Sequence, residues 1–222
     1  YSFATSNELN MNLKILSLVI IGVCILLPDV CYAFLSKDVH LLNMQNGLAD
    51  NTVSAVYKDK EGFVWFGTRN GLSRYDGRRI TNFERSRSYP SISNLKEVFD
   101  GVLAFVDNGV FSAFDLKKER FLSVVSSSGQ GIPSRGMLQK NDSLVWVISG
   151  SELHLMKRCA SKEGELRLRV EEKYTGWDNQ DNLLVAITYS SDKKSICLID
   201  EKGRIILLDA TNLNFFRVID LG

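Results

Sequence analysis

Residues Gly47–Phe83 read GLADNTVSAVYKDKEGFVWFGTRNGLSRYDGRRITNF. Four short β-prone runs alternate with turn residues in this stretch. Thr52–Tyr57 and Phe63–Thr68 are rich in β-branched and aromatic residues. The polar Lys58-Asp59-Lys60-Glu61-Gly62 between them ends in a Gly suited to positive φ, so the pair reads as a hairpin. Arg69-Asn70-Gly71 supplies an Asn-Gly turn into Leu72–Tyr75, and Asp76-Gly77 turns again into Ile80–Phe83. The expected unit is a four-stranded antiparallel meander. Its second run, Phe63-Val64-Trp65-Phe66, is continuously apolar rather than alternating, so both faces of that strand must be covered by neighbouring sheets.

Working outward, later segments keep this rhythm while losing its letters. Asp107-Asn108-Gly109 followed by Val110–Asp115 repeats the turn and strand that end in Asp76, and Phe114 stands 39 positions after Tyr75. Trp146, in Ser143-Leu144-Val145-Trp146-Val147, lies 81 positions after Trp65, close to two repeats of about 40 residues. Gly203 and Ile205–Asp209 echo the hairpin once more. The fold class expected is all-β: a partial β-propeller of about four four-stranded antiparallel blades, near 47–84, 94–125, 136–174 and 183–219, within a domain spanning 34–222. A β-sandwich of many short strands is the rival, but it does not account for the recurring order of turn, aromatic and Asp. Propellers have typically four to eight blades. A fragment of a ring is expected to be less stable alone than the closed ring, and Asp38–Met44 reads as a lone strand ahead of the first repeat.

The string GFVWFGTRNGLSRYDG (62–77), with GLADNTVSAVYKD (47–59) before it, resembles the two-component regulator propeller repeat found in the sensor regions of bacterial hybrid histidine kinases. Trp65, Gly67, Thr68, Gly71, Leu72, Tyr75, Asp76 and Gly77 fall on the repeat's recurrent positions. The resemblance implies a periplasmic ligand-sensing propeller that detects nutrients, often oligosaccharides. It also implies a downstream membrane segment in the inner membrane, a kinase and a phosphorelay. Alternative outputs are a diguanylate cyclase or, for a secreted scaffold, protein partners. A homodimer is one assembly open to such a sensor.

Composition bounds the remaining classes. Lys plus Arg number 27 against 26 Asp plus Glu, a net charge of +1, so no basic field draws phosphates and nucleic acid is not expected as a partner. The start of the chain carries an address. From Met11, a short polar opening with Lys14 leads into an apolar run, Ile15–Leu27, too short for the roughly 20 residues of a membrane span. Pro28 and Asp29 break it, and Cys31-Tyr32-Ala33 fits a signal-peptidase site, so residues 11–33 read as a signal peptide cleaved after Ala33. Residues 1–10 read as leader upstream of Met11.

Chemistry-bearing residues are sparse. Cys159 and Cys197 either pair in an oxidising compartment or stay as two buried thiols. His40 and His154 occupy strand-like runs without a nucleophile nearby, and neither a phosphate loop nor a metal-ligand spacing occurs. No catalytic residue, cofactor site or metal site is expected, and the chain reads as a non-enzyme. Asp59, Asp76, Asp107, Asp115 and Asp209 recur at turns, where a carboxylate accepts from nearby backbone donors. A glycosidase-like acid pair, about 5 to 10 Å apart, is the enzymatic alternative they leave. Trp65 and Trp146 read as packing between blades, and Arg69 and Arg74 as blade surface. Trp177 differs: it stands in the polar loop Tyr174–Asn182, where an aromatic among amides and acids can stack on a sugar, and it is the one ligand-binding candidate.

Overall fold

The computed structural model describes residues 40–84, 92–175 and 182–220. The signal segment and Trp177 lie outside the described residues. Within them, sixteen strands form four consecutive meanders. Blade 1 comprises β1 (Val53–Lys58), β2 (Val64–Thr68), β3 (Gly71–Tyr75) and β4 (Ile80–Phe83). Blade 2 comprises β5 (Ile92–Phe99), β6 (Val102–Asp107), β7 (Val110–Asp115) and β8 (Arg120–Ser126). Blade 3 comprises β9 (Gly136–Gln139), β10 (Leu144–Ser149), β11 (Glu152–Cys159) and β12 (Glu165–Tyr174), and blade 4 β13 (Leu184–Tyr189), β14 (Ser195–Asp200), β15 (Ile205–Asp209) and β16 (Phe215–Ile219). Strands within each blade pair antiparallel in sequence order. The first strands β1, β5, β9 and β13 stand side by side in that order, which gives the blades a common axis.

The turns that set this spacing are built by short polar side chains. After the third strand, Asp76 Oδ1 accepts from the amides of Arg78 and Arg79 at 2.7 and 2.6 Å. Asp115 Oδ1 does the same for Lys117 and Lys118, both at 3.0 Å, and Asp209 Oδ1 for Thr211 and Asn212 at 2.8 and 3.1 Å. These backbone donors favour the charged form and hold the Asp76 and Asp209 carboxyls below the usual range. One local signature thus closes the third hairpin in blades 1, 2 and 4.

Side-chain parity explains the continuous apolar runs. In β6, Leu103 and Phe105 face blade 1 while Val102, Ala104 and Val106 face blade 3, and all five are buried. In β10, Val145 and Val147 face blade 2 while Trp146 and Ile148 face blade 4. The core is therefore divided into three seams between successive blades. Trp65 and Trp146 sit in seams 1–2 and 3–4, as the sequence predicts.

The structure departs from expectation at three places. Asp38–Met44 is not a strand where it is described: Met44–Asn46 forms a single 3-10 turn. Asn43 caps it by accepting from the amides of Gln45 and Asn46, while the Asn46 side chain returns a bond to the Asn43 amide. Local amide chemistry outcompetes the extended conformation there. Secondly, blades 2 and 3 merge into one eight-stranded sheet, because β8 pairs parallel with β12 over Ser123–Ser126 and Glu165–Leu168. Thirdly, Cys159 and Cys197 are free thiols and half-buried rather than fully buried.

Candidate functional site: a crevice between blades 1 and 2

The β1–β2 hairpin is held by Asp59. Its Oδ1 accepts from the amides of Glu61 and Phe63 at 3.0 and 2.9 Å, and its Oδ2 from the indole Nε1 of Trp65 at 2.8 Å. One carboxylate therefore shapes the turn and fixes the largest side chain of the seam. Arg74, on β3, lies against the same aromatic group, its guanidinium carbon 4.9 Å from the Phe63 ring centroid and 5.5 Å from those of Trp65 and Phe83. Its Nη1 reaches Glu119 Oε1 of blade 2 at 2.7 Å. The side chain is only 19% exposed, which corrects the reading of Arg74 as a surface residue; Arg69 is exposed as expected. A planar cation stacks on aromatic faces while its edge stays free to pair, a geometry lysine cannot reproduce.

Where the hairpin meets blade 2, a crevice of about 230 Å³ opens. Phe63, Trp65 and Leu116 provide its apolar wall, and Glu61, Glu97, Asp100 and Lys117 its polar rim. Most rim charges are already matched. Lys60 donates to Glu97 at 3.3 Å across the seam, Gly101 N donates to the same oxygen at 3.1 Å, and Lys117 pairs with Asp100 at 3.4 Å. Glu97 is 9% exposed, and its hydrogen bond holds the Lys60 amine above its usual value. The Tyr57 hydroxyl is pushed up by burial, and then by the Glu97 charge. Trp65 itself is 1% exposed, so it supports the crevice rather than offering a face for stacking. A pocket smaller than the roughly 300–1,000 Å³ of drug-sized sites, with mixed charges and an aromatic back wall, fits a small polar molecule.

The remaining sequence candidates do not gather here. His154 is buried on β11 and bonded to Glu152 at 2.5 Å, and His40 is exposed near the start of the described residues. No group of three or more metal-binding side chains occurs among the described residues, and no helix there is long and apolar enough to cross a membrane. Sequence reading missed the blade 2 half of the crevice. Glu97, Asp100 and Lys117 sit at ordinary polar positions, and only the Asp59–Trp65 spacing within the repeat hinted at a built corner.

Four-stranded meanders with adjoining first strands and cores between successive sheets are the blades of a β-propeller. The chain is thus a propeller of four blades over its described residues. Residues 47–70, which include the β1–β2 hairpin of blade 1, match the family described as Two component regulator propeller. Among solved structures, the chain is similar to the extracellular domain of BT4673 from B. thetaiotaomicron, which its description assigns to a one component system. The TM-score is 0.60 at 14% identity, over 84% of this chain and 28% of that one. It is also similar to the Cps50 (Swd1) β-propeller domain of Myceliophteria thermophila, with TM-score 0.53 at 16% identity over 77% and 56% of the two chains. The WD40 β-propeller domain of Doa1 gives TM-score 0.53 at 13% identity over 76% and 53%. The chain thus spans from about a quarter to just over half of these solved chains. No curated protein matches it in sequence.

Proposed function

We propose that the chain is the ligand-sensing propeller of a two-component-type sensor, and that the crevice between blades 1 and 2 admits a small polar ligand such as a sugar. The observation that carries this reading is that the family repeat at residues 47–70 supplies the crevice's hairpin, including Asp59, Phe63 and Trp65. The likeness to an extracellular domain and the signal-like segment 11–33 both favour an exported, periplasmic location. A ligand seated in a seam acts by its differential affinity for two arrangements of the blades, which is how binding is passed to an output. The propeller then needs no chemistry of its own.

Calorimetric titration of the purified chain with mono- and oligosaccharides tests the reading. Binding that weakens at least tenfold in Glu61→Ala or Lys117→Ala supports the crevice. Unchanged affinity in both variants removes it, and silence across the glycan panel removes sugar sensing. Trp177→Ala serves as an independent arm: loss of affinity there alone moves the site to the Tyr174–Asn182 loop. The one component description of the similar extracellular domain favours a second reading, in which input and output share one polypeptide. Sequencing the gene beyond Gly222 decides between these outputs.

A further inference from the structure

The three seams are built differently. Seams 1–2 and 3–4 are each centred on a tryptophan that faces the next blade, Trp65 and Trp146. The equivalent position in blade 2 is Ala104, 39 residues after Trp65 and 42 before Trp146, and it faces blade 3. Opposite it on the first strand, where Tyr57 pairs with Trp65 and Leu138 with Trp146, stands Lys96. The seam lacking a tryptophan at that position is the one closed by main chain. β8 and β12 form a parallel ladder over four residue pairs, extended by Ser123 N donating to Gly164 O at 2.8 Å.

The same seam is fastened elsewhere along its length. Lys118 and Arg120 of blade 2 both reach Glu163 of blade 3, at 2.8 and 3.0 Å. At the other end, the connection into blade 3 lies along β7. Phe111 N donates to Ile132 O and Ser134 N to Gly109 O, each at 2.8 Å, and Arg135 N then donates to Ile148 O of blade 3 at 3.0 Å. By contrast, among the described residues blades 1 and 2 meet through side chains: the Lys60–Glu97 and Arg74–Glu119 pairs, and the Ser54 hydroxyl donating to Ile92 O. That seam also holds the crevice, and so has atoms missing from part of its contact.

We infer that blades 2 and 3 form one cooperative body, which opens and unfolds as a unit, and that blade 1 separates from it first, along the seam containing the crevice. A shared ladder cannot be broken on one side only, because its donors and acceptors are each other's partners. A side-chain seam can open without exposing any main-chain bond. The inference concerns the free chain and stands whether or not a ligand is found.

Native-state hydrogen exchange on the 222-residue chain, followed at increasing denaturant, reads this directly. The expected result is a single opening isotherm for amides of β5–β12, with β1–β4 amides exchanging at least tenfold faster. Separate isotherms for β5–β8 and β9–β12, or blade 1 protected as strongly as the pair, would overturn it. Ser123→Pro then tests the cause. It deletes the N–H that Gly164 accepts, at an exposed residue, and should split the common isotherm and lower β8 and β12 protection roughly five- to tenfold. A common isotherm that survives this change removes the ladder as its origin. Should that variant fail to fold, the unmodified chain's isotherms still decide. Glu163→Gln, which removes only the surface pairs, is expected to leave the isotherm single; a split would assign the coupling to side chains instead.

Discussion

Trp65 and Trp146 occupy the same place in blades 1 and 3, both buried, yet they are held by opposite means. Trp65 is tethered: its indole donates to Asp59, Arg74 stacks on its face, and its ring lies 5.6 Å from Phe83 and 5.5 Å from Phe114. Trp146 is surrounded by aliphatic side chains of blades 3 and 4, with the edge of Tyr174 at 5.8 Å and the Lys140 ammonium 4.6 Å from its ring. Tethering leaves a polar crevice beside the ring, whereas filling leaves the seam apolar. The difference teaches that one repeat position can serve a binding corner in one blade and plain cohesion in another, according to what the first hairpin offers it.

The largest expected effect comes from removing each ring. Trp146→Ala should cost about 3–5 kcal/mol, the ordinary range for deleting a buried aromatic, because the aliphatic wall around it cannot collapse far. Trp65→Ala is expected at the lower end of that range, since water can enter from the crevice. Chemical denaturation of both variants checks this. Equal losses, or a larger loss at Trp65, would break the comparison.

A second contrast lies two residues further along. After Trp65 comes Gly67, and after Trp146 comes Ile148. A Cβ at Gly67 would stand 2.5 Å from Ile92 Cγ2 and 3.1 Å from Ile92 Cβ, so blade 2 already occupies the space. Blade 3 places the small residue on the partner strand instead: Ile148 pairs with Gly136, whereas Gly67 pairs with Ala55. Gly67→Ala is expected to cost about 1–3 kcal/mol by overpacking. Gly67→Ala should cost less in an Ile92→Ala background, which lacks the clashing Cγ2, and a double-mutant cycle without coupling would refute the contact as its cause.

The hairpin residue itself provides the third. Asp59→Ala leaves two backbone amides and the Trp65 indole without their acceptor, at about 1–3 kcal/mol. Asn141, which accepts from the amides of Ser143 and Leu144 at the matching turn of blade 3, holds no indole. Asn141→Ala should cost about half as much, as the melting temperatures would show. Asp59→Asn is the sharper probe, since it keeps an acceptor for the turn but removes the charge facing Trp65.

How much of this is legible in the sequence follows from how local each feature is. The β1–β2 hairpin, the Asn70-Gly71 turn and the Asp-led turns declare themselves because their hydrogen bonds close within four residues. The burial of Trp65 and Trp146 is legible for a related reason: a run apolar on both faces demands cover on both. What is not legible joins separate repeats. Glu97 and Asp100 become part of a site only when blade 2 swings beside blade 1, and no local pattern records that meeting. The β8–β12 ladder is hidden likewise, because main-chain pairing at outer edges asks little of side-chain identity. Asp38–Met44 misleads by composition: Leu41, Leu42 and Met44 look like a strand, but Asn43 and Asn46 bond the nearby amides first.

The smallest effect expected concerns the seam with neither tryptophan. Lys96, in the place of Tyr57 and Leu138, is half-buried, and burial pushes its amine below the usual lysine value. The unfolded chain therefore binds more protons than the folded one between that lowered value and the ordinary 10.5, so this residue makes stability rise with pH across the window. Below it the amine is charged in both states, and folding bears the whole cost of moving the charge from water; above it the amine is neutral in both. Lys96→Met keeps an unbranched stem over Ala104 and removes the charge. The variant should be more stable than the parent at neutral pH by a small margin, which shrinks to nothing as the pH approaches 10.5. Paired melting curves at neutral and alkaline pH measure that margin. A variant less stable at neutral pH would mean that the ammonium contributes a bond to seam 2–3, and the contrast would then be between three anchored seams rather than two anchored seams and one laced by its backbone.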